Sequence, residues 1–103
     1  MTTKTFQQIE EVKARTAPIF RRYGVVKAGV FGSFARGEAK RKSDIDFYII
    51  YGPKTTLFDM GGLQYELEEL LGKSVDLANG QMLKKELKSS ILKDLNVLYE
   101  KGK

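Results

Sequence analysis

The sequence predicts an α/β or α+β fold: a small mixed β-sheet of three to four strands with helices packed on one face. Three observations carry this. Stretches with helical apolar spacing alternate with short β-type runs, and Gly or Gly-Pro stands at most of the junctions. The order that results, αβ(loop)βαβαβ, is one that a single layered sheet accommodates. At 103 residues the chain buries one core, so residues 1–103 are expected to form a single domain.

The elements follow in chain order. Phe6, Ile9, Val12, Lys13, Thr16, Ile19, Phe20 and Tyr23 recur at helical spacing and Gly24 stands where a C-cap glycine belongs, which predicts a helix over 5–23 that Pro18 bends or splits. The run KAGVF, 27–31, reads as a short strand that stops at Gly32. DIDFYIIY, 44–51, is the clearest strand and is closed by Gly52-Pro53. A second helix over 58–71 places Leu63, Leu67, Leu70 and Leu71 on one side, with Gly72 at its end and Asp59, Glu66, Glu68 and Glu69 on a solvated face. SVDLA, 74–78, is a third strand, and 82–92 a third helix with Leu83, Leu87, Ile91 and Leu92 inward. NVLYE, 96–100, is either a fourth strand or an extension of that helix.

Composition narrows the function. The chain is 42% apolar and 30% charged, as an ordinary globule is. It has neither Cys nor His, so disulfides, thiolate metal sites and imidazole bases are all excluded, and any metal must be held by oxygen. No run approaches the ~18 apolar residues of a membrane span and the N-terminus lacks a signal-type apolar core, so the expectation is a cytoplasmic protein with no membrane partner. The net charge of +5 suits anionic partners; the clusters Lys40-Arg41-Lys42 and Lys84-Lys85 with Lys88 read first as solvated faces.

The chemistry gathers in GSFARGEAKRKSDIDFYII, 32–50. Residues two apart on a strand share a face, so Asp44 and Asp46 project together with Cα atoms about 6.5 Å apart, while Ile45, Phe47 and Ile49 take the other face toward the helices. Like charges this close raise one another's pKa unless a cation lies between them. With no His or Cys, Mg²⁺ or Mn²⁺ is the natural ion, completing its shell with water and substrate phosphate. Upstream, Gly32-Ser33 follows a strand and begins a turn or short helix, offering backbone N–H groups and a hydroxyl to an anion; read plainly, the same pair is a turn glycine and a helix N-cap. It is neither a Walker A loop nor GxGxxG. Asp76, flanked by Val75 and Leu77, faces away from them onto the side of the aspartate pair and would supply a third carboxylate for two metals; otherwise it is an exposed edge-strand acid.

Gly32-Ser33, Gly37, six further residues through Ser43, and then SDIDFYII with a later VDLA resemble the nucleotidyltransferase superfamily that includes DNA polymerase beta, and most closely its minimal nucleotidyltransferase (MNT) branch. The resemblance spans about 27–78, and a helix followed by a VLYE-like tail also fits. It implies a nucleotidyltransferase fold. It further implies that Gly32 and Ser33 hold the β and γ phosphates of ATP or another nucleoside triphosphate, with Arg36 and Ser43 also on the nucleotide side. Asp44, Asp46 and Asp76 would bind two Mg²⁺ ions and act as the catalytic carboxylates, Asp76 helping to deprotonate the attacking hydroxyl. Phe34 stands where many members carry a basic residue, and it is expected to pack.

The resemblance also implies a partner, since minimal nucleotidyltransferases are commonly paired with HEPN toxins and transfer AMP to a toxin tyrosine. A homo- or hetero-oligomer is therefore expected. Three functions remain open at this point. One is a Mg²⁺-dependent adenylyltransferase acting on a protein; the second is an antitoxin that keeps the fold and neutralises by contact. The third is a nucleic-acid binder using the lysine clusters, disfavoured because the chain lacks an RNA-recognition aromatic signature and a helix-turn-helix.

Overall fold

A computed structural model describes residues 3–102. Its elements are α1 (Thr3–Arg22), β1 (Lys27–Phe31), α2 (Gly32–Ala35), β2 (Ile45–Ile50), α3 (Leu57–Leu71), β3 (Val75–Asn79), α4 (Lys85–Asp94) and β4 (Asn96–Glu100). The four strands form one sheet in the order β3-β2-β1-β4, with β2 parallel to β3 and β1 antiparallel to both β2 and β4. Asn96–Glu100 is thus a fourth strand, because β1 has a free edge that would otherwise leave its backbone groups unpaired.

α1 continues through Pro18 and is not split. Ile9, Val12, Thr16, Ile19 and Phe20 form one buried stripe on both sides of the proline, which is exposed. Packing on the sheet therefore holds the turns that the missing N–H weakens. α3 begins with a capping box: the Thr56 hydroxyl accepts from Asp59 N–H, and the Asp59 carboxylate accepts from Thr56 N–H. Such a cap is worth about 1 kcal/mol. α4 begins three residues later than its apolar spacing suggests, since Gly80–Leu83 is spent on a turn in which the Gln81 amide bonds both backbone groups of Tyr51.

Ile45, Phe47 and Ile49 of β2 face α1 and α3, as the alternation predicts. Phe47 meets Phe20 edge-on at 6.0 Å between ring centroids, and Leu63 and Leu67 of α3 are fully buried in the same core. Burying each such side chain contributes about 1.5–3 kcal/mol. The opposite face holds Asp46, Tyr48 and Ile50. Its middle is closed, for Tyr48 is 3% exposed, while Asp46 and Ile50 at the two ends are partly exposed. The turn at Gly80 lies on the Tyr48 ring, and Leu95, at the end of α4, covers Gly29 of β1.

Two glutamates expected on a solvated face of the second helix have structural partners instead. Glu66 is bonded by Arg22 and Tyr23 of the α1 terminus, and Glu68 accepts the Val75 N–H at 3.0 Å where β3 begins. Both stand on turns of α3 that pass close to neighbouring chain ends, a relation that helical spacing does not encode.

Candidate active site

The site is built where β1 ends beside the start of β2. Phe31 pairs with Asp46 across the antiparallel ladder, and Asp46 pairs with Asp76 across the parallel one. Paired positions share a face of the sheet, so the two carboxylates stand side by side on adjacent strands. Asp44 lies one residue before β2, exposed, and by alternation on Asp46's side of the chain.

Gly32 follows Phe31 with φ of +74°. A Cβ built there would lie 2.6 Å from Asp46 Oδ2, so the backbone approaches this carboxylate more closely than any side chain permits. α2 opens at Gly32 with Phe31 as its N-cap and no side-chain capping bond. Ser33 is therefore inside the short helix, and the N-cap reading of Ser33 is corrected: the positive φ of Gly32 starts the turn one residue earlier. The Ser33 carbonyl accepts from Glu38 N–H at 2.8 Å, while its hydroxyl has no partner among the described residues. The first-turn amides of α2 likewise lack intrahelical acceptors. Phe34 packs against the core as expected.

Burial of Asp46 raises its carboxyl above the ordinary range, the charges of Asp76 and then Asp44 push it further, and Arg36 draws it back slightly. Every candidate donor in this group is a carboxylate oxygen, and the negative charge is crowded and partly dehydrated. That chemistry fits a hard divalent cation. Among the described residues no three acidic groups are drawn together tightly enough to hold an ion alone, so water or substrate oxygens would complete the shell.

The other two predicted nucleotide-side residues have other partners. Arg36 bonds Glu38 at 2.8 Å and Asp94, at the end of α4, at 2.6 Å, which joins α2 to α4. The Ser43 hydroxyl accepts from Lys40 N–H at 3.0 Å, and the Ser43 N–H returns a bond to the Lys40 carbonyl at 2.9 Å. Lys73 donates to the carbonyls of both Lys40 and Ser43 at 3.3 Å. Sequence reasoning missed Lys73 and Asp94. Glycine at position 72 marks where Lys73 leaves the helix, but nothing local points either residue at a loop or helix so distant in sequence.

A family profile described as "Polymerase beta, Nucleotidyltransferase" matches residues 15–103. A Methanocaldococcus jannaschii protein provisionally named a protein adenylyltransferase is 43% identical over 86 residues, covering 84% of this chain and 92% of the relative. The protein adenylyltransferase MntA of Thermococcus cleftensis is 35% identical over 96 residues, covering 92% and 97%. A solved structure provisionally described as a minimal nucleotidyltransferase superposes with a TM-score of 0.74 at 33% identity, covering 93% of this chain and 95% of that one. The fold is also shared, at 17% identity and a TM-score of 0.57, with a chain from a Shewanella oneidensis complex of a tri-AMPylated HEPN toxin and its MNT antitoxin, covering 97% and 73%.

Proposed function

We propose that this chain, which belongs to the polymerase beta nucleotidyltransferase family, transfers AMP from ATP to a hydroxyl of a partner protein, a tyrosine of a HEPN toxin. The observation that carries the proposal is the juxtaposition of Asp46 with Asp76 across the parallel ladder, with the Gly32 backbone closed onto Asp46. Relatives of similar length named as protein adenylyltransferases support it.

In this reaction the acceptor oxygen bonds to the α-phosphorus while the bond from that phosphorus to the bridging oxygen breaks, and pyrophosphate leaves with the electron pair. The hydroxyl proton passes to Asp76, which is exposed and can release it to water. Asp46 is fixed from both sides, by its strand and by Gly32. The α2 amides of Gly32 and Ser33, with the Ser33 hydroxyl, hold the β and γ phosphates. Arg36 is held by Glu38 and Asp94 and partly offsets the aspartate charges felt by Asp46. Divalent metal use accompanies the family; Mg²⁺, as two ions on Asp44, Asp46 and Asp76, would neutralise the triphosphate and make the hydroxyl more acidic.

A second reading is neutralisation by contact alone, in which the fold and the partner are kept without the transfer. Incubating the chain with labelled ATP, Mg²⁺ and a HEPN partner separates the two. Label on the partner, lost in Asp46→Asn, supports transfer. A stable complex that never acquires label supports contact alone.

A further inference from the structure

The cations Lys40, Arg41 and Lys42 have no carboxylate partner among the described residues, nor does Lys73. They are not scattered. Arg41, Lys42, Ser43, Asp44, Lys73 and Ser74 line a hollow of about 260 Å³. The bonds from Lys73 to the Lys40 and Ser43 carbonyls hold one wall against the other.

The place of this hollow in the sheet decides its use. Gly32 lies on the β1 flank of Asp46, whereas Gly72, Lys73 and Ser74 lead directly into β3, on the Asp76 flank. Arg41 to Asp44 lead into β2 as Gly72 to Ser74 lead into β3, so the hollow lies at the entry of both strands, two residues before Asp46 and before Asp76. A cationic recess there, with the exposed Asp44 at its edge, is positioned to seat whatever carries the attacking hydroxyl.

We propose that this hollow is the acceptor subsite, and that it selects a hydroxyl flanked by acidic side chains on the partner protein. The inference rests on the adenylyl-transfer reading for the word acceptor, but the binding it describes does not depend on turnover. Clustered cations without carboxylate partners among the described residues attract an oppositely charged segment, speed its encounter and fix its register. A protein segment is favoured over nucleic acid because no aromatic side chain lines the hollow as a base-stacking platform.

The test is direct binding. Fluorescein-labelled Glu-Glu-Tyr-Glu-Glu, a lysine-flanked counterpart and a short single-stranded RNA are titrated with the full chain at low salt and at about 200 mM salt. The acidic peptide should bind at least ~10-fold more tightly than the lysine-flanked one, and the preference should shrink with salt. Arg41→Glu/Lys42→Glu, on exposed loop positions, should abolish the preference while ATP affinity stays within about twofold. Equal binding of the two peptides overturns the proposal, as does tighter binding of RNA that the same variant loses. Loss of ATP affinity in parallel with peptide affinity also overturns it, by assigning the hollow to the triphosphate. A chain that keeps the peptide preference but transfers no AMP would refute the transferase reading and leave this one standing.

Discussion

Asp46 of β2 and Asp76 of β3 are register partners across the parallel ladder, and Asp46 alone of the two is half-buried, pressed from the other side by the backbone of Gly32. Two carboxylates so arranged repel, and the more buried one bears most of the cost. The arrangement is unfavourable to an empty fold and favourable to one that holds cations.

Asp46→Asn should therefore abolish transfer, by ~100-fold or more, while raising the melting temperature in the absence of Mg²⁺. In the wild type, added Mg²⁺ should recover stability that the variant does not gain. Melting curves with and without Mg²⁺ check both signs. A destabilised, Mg²⁺-insensitive variant would make Asp46 structural.

Gly32→Ala places a methyl group against the Asp46 carboxylate at a backbone angle that L-residues avoid. The conformational cost alone is about 1–2 kcal/mol. Urea unfolding should register that loss, and transfer should fall further than stability explains because Asp46 must move aside.

Asp76 is exposed, so Asp76→Asn should leave stability unchanged or slightly raised, since it relieves the repulsion on Asp46. Turnover should drop by ~10²–10⁴ with ATP affinity largely kept, since the acceptor hydroxyl loses the group that takes its proton while the phosphate contacts remain. Measuring ATP affinity and AMP transfer on one preparation shows whether the two quantities separate.

Ser33 is not the cap of α2, so Ser33→Ala should cost little in folding. Its hydroxyl has no partner among the described residues, and losing a contact to a charged phosphate should weaken ATP binding by roughly 1.5–3 kcal/mol. Calorimetric titration with ATP, set beside a thermal melt, compares the two losses.

Burial raises the Tyr51 hydroxyl pKa above its ordinary value near 10.0. A raised folded pKa means that the native state keeps its proton longer than the unfolded chain does, so this stability is fully present below about pH 10 and is lost as pH climbs through the folded pKa. Tyr51→Phe should flatten that alkaline limb. Denaturant midpoints between about pH 8 and pH 11 for both proteins test it.

What the sequence determined by itself was local or periodic. Alternation along DIDFYII separates the aspartates from Ile45, Phe47 and Ile49, and the same rule sets Asp76 apart from Val75 and Leu77. Helical spacing marks Leu63 and Leu67, and both are buried. Such features need only a residue and its near neighbours. The cap that Ser33 also offered shows the limit of that reach, since the start of α2 depended on the backbone angle of Gly32.

Tertiary structure decided everything that depends on which chain ends meet. The ion pair of Arg36 with Asp94 spans 58 residues, and the bonds of Lys73 to Lys40 and Ser43 span 33 and 30. Glu66 and Glu68 have the spacing of a solvated face, yet each is taken by a neighbouring segment that α3 passes. NVLYE became a strand because β1 offered it an edge, and the middle of the face bearing Asp46 was closed because Gly80 and Leu95 came to rest on it. The physical reason is common to all of these: a hydrogen bond or a contact is chosen by proximity, and proximity between distant residues exists only once the sheet order has been set.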